Sequence, residues 1–150
     1  MRGASTPGRF QPPTTHSTPS RSVPFRFKHH YTIAEARELL PKVSQWLVKA
    51  RKAREDYLRL EDRVGGLLRG GADVGGDLAN RWVRALADLR DILREFHSRE
   101  IEVKDLDRGL VDFPGIVGGK EVFLCWEEGE EDIEFWHDLE SGYAGRTRLE

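Results

Sequence analysis

Long apolar runs are missing from this sequence: no window reaches the ~18 uninterrupted apolar residues that a membrane-spanning helix needs, which excludes a helical span. Cysteine is almost absent. The single Cys125 excludes an internal disulfide framework and a multi-cysteine zinc site, and a reducing cytoplasm is the expected compartment. Acid is absent from residues 1–28, where Arg2, Arg9, Arg21, Arg26 and Lys28 give +5, so the rest of the chain carries −7, from 19 basic and 26 acidic residues. Phosphate neutralisation needs a basic surface, so an acidic body makes nucleic acid an unlikely partner.

What is present divides into a tail and one domain. Residues 1–28 hold five of the seven prolines, with Ser, Thr and Gly between them. Such a stretch buries too little apolar surface to offset its ordering entropy, and it reads as a disordered basic tail. It lacks the apolar core of a secretory signal. Phe25 and Phe27 are placed to dock on the domain that follows, taken as residues 29–150.

Thr32-Ile33-Ala34-Glu35 has the pattern of a capping box and starts a helix. Apolar residues then recur at Ile33, Ala36, Leu40, Val43, Leu47 and Ala50, with Pro41 expected to kink the helix. Tyr57 and Val64 extend the heptad seam, but Arg54 and Glu61 interrupt it and leave its distal half weakly apolar. Six glycines fall in residues 65–76. The segment has no Gly-Lys-Ser/Thr ending, no preceding strand and no G-x-G-x-x-G spacing, so it reads as a flexible connection and not a phosphate loop. Asp77 is the expected N-cap of a second helix, whose stripe is Trp82, Leu86, Leu89, Leu93 and Phe96. Two such stripes pack as an antiparallel hairpin, long enough to protrude from a small domain.

From Ile101 the apolar period changes to two. Turns at residues 106–109, 118–119 and 127–132 separate four strands, with Pro114-Gly115 ending the second. The expected fold is α+β: a long antiparallel two-helix hairpin followed by a four-stranded antiparallel β-meander packed on it. The acidic turn lacks the ligand spacing of a calcium loop.

Chemistry concentrates in Asp112, Cys125, Trp126, Trp136, His137 and Arg146. Cys125, His137 and Asp112 are metal-ligating types, and a Cys–His pair is also a potential nucleophile. Trp126, Trp136 and Arg146 suit the wall and anion clamp of a ligand cleft. Strand parity decides between these readings. With Trp126 opposite Ile133, residues Val122, Leu124, Trp126, Ile133, Phe135 and His137 share one apolar face, and Cys125 points away from His137. That register gives the cleaner apolar face and is the one expected. Under it Cys125 is a small half-buried hydrophobe and His137 a hydrogen-bonded edge residue. Arg146 then holds an anion or pairs with Asp112 or another carboxylate.

Residues 31–149 resemble the bacterial family known as domain of unknown function 2203. The resemblance rests on Tyr31-Thr-Ile-Ala-Glu-Ala-Arg-Glu-Leu-Leu-Pro41 and Ile101-Glu-Val-Lys-Asp-Leu-Asp-Arg-Gly-Leu-Val-Asp-Phe-Pro114. It also rests on Leu124-Cys-Trp126, Phe135-Trp-His137 and Gly142-Tyr-Ala-Gly-Arg146. It implies a single cytoplasmic domain and no particular activity, substrate or cofactor.

Two functions from different classes follow. One is a non-enzymatic module in which the hairpin self-associates as a homodimer or binds a protein partner. The other is a small-molecule or metal site on the sheet, with His137 as the general acid or base and Asp112 as its orienter if the protein is an enzyme. No motif names a cofactor.

Overall fold

The Thr32 hydroxyl accepts a bond from the Glu35 amide at 3.2 Å, and the Glu35 carboxylate accepts from the Thr32 amide at 2.8 Å. This reciprocal cap starts α1, Ile33–Arg69, a helix of 37 residues that continues through Pro41. The computed structural model describes residues 23–150. The stretch up to residue 22, which includes most of the expected tail, lies outside the described residues.

The hairpin connection is shorter than its composition suggested. Gly65 and Gly66 are helical, and α1 ends where the Gly70 amide bonds the Gly66 carbonyl and Gly71 turns left-handed at φ 73°. Helix α2 spans Gly76–His97 and has Gly75 at its N-cap with no side-chain cap. Asp77 therefore sits inside the first turn, where its charge complements the helix dipole instead of capping it. The antiparallel register of the pair is fixed by Trp46 against Phe96 and by Tyr57 stacked on Trp82.

The sheet has five antiparallel strands in sequential order: β1 Glu102–Asp105, β2 Leu110–Val117, β3 Lys120–Glu127, β4 Phe135–Asp138 and β5 Thr147–Arg148. The meander of the expected α+β fold is present, with a short fifth strand added. Turns fall at the expected glycines. Gly109 adopts φ 68°, and a Cβ there would lie 2.6 Å from the Glu128 side chain, so both backbone and space require glycine.

Pro114-Gly115 does not end β2. Pro114 pairs with Phe123 and the strand runs on to Val117. Beyond Asp112, β1 no longer flanks β2, and the Pro114 carbonyl accepts instead from the Tyr31 amide at 2.7 Å. A residue without an N–H costs no ladder bond on a side that has no strand.

The core lies between one face of the sheet and the sheet-proximal part of the hairpin. Val43 and Leu47 of α1 and Phe96 of α2 meet Val111, Phe113, Leu124 and Trp126. Each large side chain fully buried here contributes roughly 1.5–3 kcal/mol. On the other face the segment preceding α1, residues 26–30, forms a strap over part of the sheet. Phe27 packs edge-on against Phe123 at 5.3 Å. The Arg26 and Phe27 amides donate to Glu121, and those of Lys28 and His29 to Glu100. Phe27 thus docks on the domain as expected. No helix among the described residues is long and apolar enough to cross a membrane.

Candidate metal centre on the outer face of the sheet

The expected strand register is overturned. Cys125 pairs with Phe135, Leu124 with Trp136, and Phe123 with His137. Cys125 and His137 consequently point to the same side of the sheet, the side away from the helices, and Asp112 joins them because it pairs with Cys125 from β2.

The reason lies in the acidic segment between β3 and β4. The Trp126 indole N–H donates to the Glu130 carbonyl at 3.0 Å, and the Glu130 carboxylate accepts from the Glu127 amide at 2.9 Å. Arg37 of α1 clamps Asp132 with two bonds of 2.7 and 2.6 Å. This irregular loop lets Ile133 reach the helix-side core while Phe135 and His137 take the opposite parity. Strict alternation from Ile133 through His137 does not hold.

Asp112 and His137 are each 1% exposed and Cys125 is fully buried. Their candidate ligand atoms all lie within 4.8 Å of one another. His137 Nδ1 is 2.7 Å from the Asp138 carbonyl, which can only accept, so Nδ1 carries a proton. Nε2 then faces Asp112 Oδ2 at 2.9 Å. That contact holds one proton between a carboxyl and an imidazole nitrogen.

Burial pushes the Asp112 carboxyl above its usual range, a shift only partly offset by His137. Its second oxygen, Oδ1, is buried without a hydrogen-bond partner. The Cys125 thiol, a weak donor, interacts with the carboxyl but does not meet hydrogen-bond geometry at Oδ1. Burial, followed by the Asp112 charge, raises the thiol far above the ordinary cysteine value. A neutral buried thiol is a poor nucleophile, so the arrangement does not favour covalent catalysis.

The remaining candidates are placed differently. Trp126 and Trp136 belong to the helix-side core, Trp136 at its margin, and do not wall a cleft around the cluster. Arg146 does lie near Cys125 but is engaged. Its Nη2 donates to both Glu130 oxygens at 2.6 and 2.8 Å, and its guanidinium packs over Phe135 and Tyr143 at 4.1 and 4.7 Å. Arg146 therefore pairs with Glu130 and not with Asp112. Glu130 and the Asp138 carbonyl are supporting groups that the sequence does not single out, because no local spacing marks them.

The fold and this site define an α+β domain, a helical hairpin laid on an antiparallel sheet, with a buried Asp–Cys–His cluster on the sheet's far face. A family model described as Uncharacterized conserved protein (DUF2203) matches residues 29–149, and the chain belongs to that family. Neither a curated protein nor a solved structure matches it.

Proposed function

We propose that this protein is a metal-binding domain that holds one divalent transition ion of the zinc class with Asp112, Cys125 and His137. The observation that carries the reading is the convergence of three ligating side chains from three strands, buried together within 4.8 Å.

Three further features support it. Charge balances: a thiolate and a carboxylate neutralise a 2+ ion, so the loaded site adds no net charge to a buried position. Ligands of one tetrahedral zinc lie about 3.3–3.8 Å apart given bonds of about 2.0–2.3 Å, so the 2.9 Å His137–Asp112 contact opens slightly on loading and separations of up to 4.8 Å close by about 1 Å or less. The tautomer is set as well. The Nδ1–H bond to the Asp138 carbonyl turns the Nε2 lone pair toward the cluster, the usual outer support of a metal-bound histidine. The mixed S, N, O donor set suits zinc better than the hard cations calcium and magnesium.

In the apo state one proton sits between Asp112 and His137 and one on Cys125. Metal entry displaces both, so binding releases about two protons and tightens steeply as pH rises. Three protein ligands leave one tetrahedral position for water or a small ligand, which is the arrangement of catalytic rather than purely structural zinc sites.

The test is native mass spectrometry of the full chain after zinc loading and exhaustive desalting. One zinc per chain is expected, lost in Cys125→Ser and in His137→Ala with secondary structure retained by circular dichroism. Zinc retained in both variants, or none bound by the folded parent chain, contradicts the reading.

A further inference from the structure

Helix α2 is 22 residues long, yet it fully buries only Ala85 and Phe96. Beside its seam with α1 runs an open groove of about 710 Å³. Ala53 and Ala85 lie on its floor near mid-length, with Leu60 and Ile92 farther out on α1 and α2. Small residues at the centre allow close approach of another backbone, and larger ones on either side fill the space that remains.

The rims are charged in an ordered way. On α2, Arg81 and Arg84 lie toward one end and Asp88 and Asp91 toward the other. Position 81 is as far from residue 86 as position 91, and 84 as far as 88. A two-fold axis crossing α2 at the level of residue 86 therefore sets each arginine against an aspartate of an antiparallel copy.

The α1 rim has its own centre, between Lys52 and Asp56, at the level of residue 54. The antiparallel register set by Tyr57 on Trp82 and Trp46 on Phe96 brings residues 54 and 86 to nearly the same height. One axis thus serves both helices. Of the eight rim charges, six meet an opposite charge, two of which, Lys52 and Asp56, also bond each other within α1 at 3.2 Å; Lys49 and Arg59 meet each other and oppose the pairing.

We infer that this face pairs with a second copy of the same chain, hairpin face to hairpin face and antiparallel, as a four-helix bundle. The charge order selects this occupant. A polyanion would meet Asp88 and Asp91, and a uniformly acidic helix would match only one end of α2. The ion pairs within α2 join Asp77 to Arg81 and Asp91 to Arg90 and Arg94, at 3.6–4.0 Å, and include neither Arg84 nor Asp88.

The experiment is light scattering with sedimentation equilibrium on the full chain and on Arg84→Asp and Asp88→Arg. The parent chain is expected at twice 17.2 kDa. Each single reversal places like charges across the axis and weakens the dimer about tenfold or more. Mixing the two single variants should restore a dimer, since every 84–88 contact between them is again opposite in sign. The double variant Arg84→Asp/Asp88→Arg should dimerise as well. These two rescues separate a lost interface from a lost fold. A monomeric parent chain overturns the inference, as does a dimer indifferent to both reversals or reversals that neither mixing nor the double variant rescues.

Discussion

The two ends of this molecule solve the burial problem differently. At the sheet end Val43, Leu47, Phe96, Val111 and Phe113 are almost wholly removed from water, and even an aspartate and a histidine are enclosed. Toward the hairpin tip Leu58, Leu68 and Val83 are each more than half exposed. The heptad spacing of α1 continues into the tip region through Tyr57 and Val64, although Arg54 and Glu61 occupy two of its positions there. Amphipathic periodicity therefore specifies that a helix forms and which stripe turns inward, but not how much tertiary structure arrives to cover it. Stability belongs to the sheet end. The tip is held mainly by its partner helix.

The widest separation between the regions comes from truncating their apolar side chains. Phe113→Ala should cost about 3–5 kcal/mol in denaturant unfolding, whereas Leu58→Ala on the hairpin should cost about 0.5 kcal/mol or less. Comparable losses would erase the distinction.

Nearly as large is the expected effect of metal at the sheet end. Zinc at a thousandfold excess over its Kd should stabilise the parent chain by about 4 kcal/mol and leave Cys125→Ser unchanged. Melting curves at several zinc concentrations would read this directly.

A pH series sharpens the same contrast. The Asp112 carboxyl has a folded pKa raised above its unfolded value, chiefly by burial. Its contribution is fully present below the ordinary aspartate value of about 4 and is lost as pH rises through the folded value. Metal-free protein should therefore lose this increment on going from acid toward neutral pH, and Asp112→Asn should flatten the slope. Zinc-loaded protein should show the opposite trend, because its ligands must be deprotonated.

The strap over the outer face carries a smaller and opposite dependence. Burial alone would raise the Glu121 carboxyl, but His30 and the Phe27 and Arg26 amides outweigh it and lower the pKa. Its stabilisation is present above the ordinary glutamate value and disappears as pH falls through the lowered one. Glu121→Gln should cost about 1 kcal/mol and reduce hydrogen-exchange protection at the Arg26 and Phe27 amides, with the hairpin unaffected.

The smallest expected change is a gain. Gly66 is helical, with only the flexible end of Arg69 near a new Cβ, at 4.0 Å, so Gly66→Ala should add about 0.5–1 kcal/mol of helix stability. A loss would mean that the tip needs glycine for a reason other than chain freedom.

What the sequence made legible followed the range of the forces involved. The Thr32–Glu35 box acts over three residues, and it starts α1 as read. The turns at Gly109 and Gly118-Gly119 are equally local. The α+β hairpin and meander followed from these signals. The candidate site did not. Asp112, Cys125 and His137 stand out by residue type, but their meeting depends on a register set by Arg37 reaching Asp132 and by Trp126 bonding the Glu130 carbonyl. Neither contact has a sequence signature, and the cleaner apolar alternation pointed to the other register. Trp126 and Trp136 suit the wall of a ligand cleft as well as a core, because aromatic residues serve both roles, and the structure places them in the core, Trp136 at its margin. The same ambiguity hides β5, whose two residues have no pattern of their own.

Whether Asp112, Cys125 and His137 together hold one metal ion can be read from cobalt(II) substitution. Cobalt added to the metal-free full chain is expected to give intense visible bands of a tetrahedral ion and a near-ultraviolet thiolate charge-transfer band. The charge-transfer band should disappear in Cys125→Ser. A spectrum indistinguishable from cobalt free in buffer, with the protein folded throughout, would mean that the three side chains hold no metal.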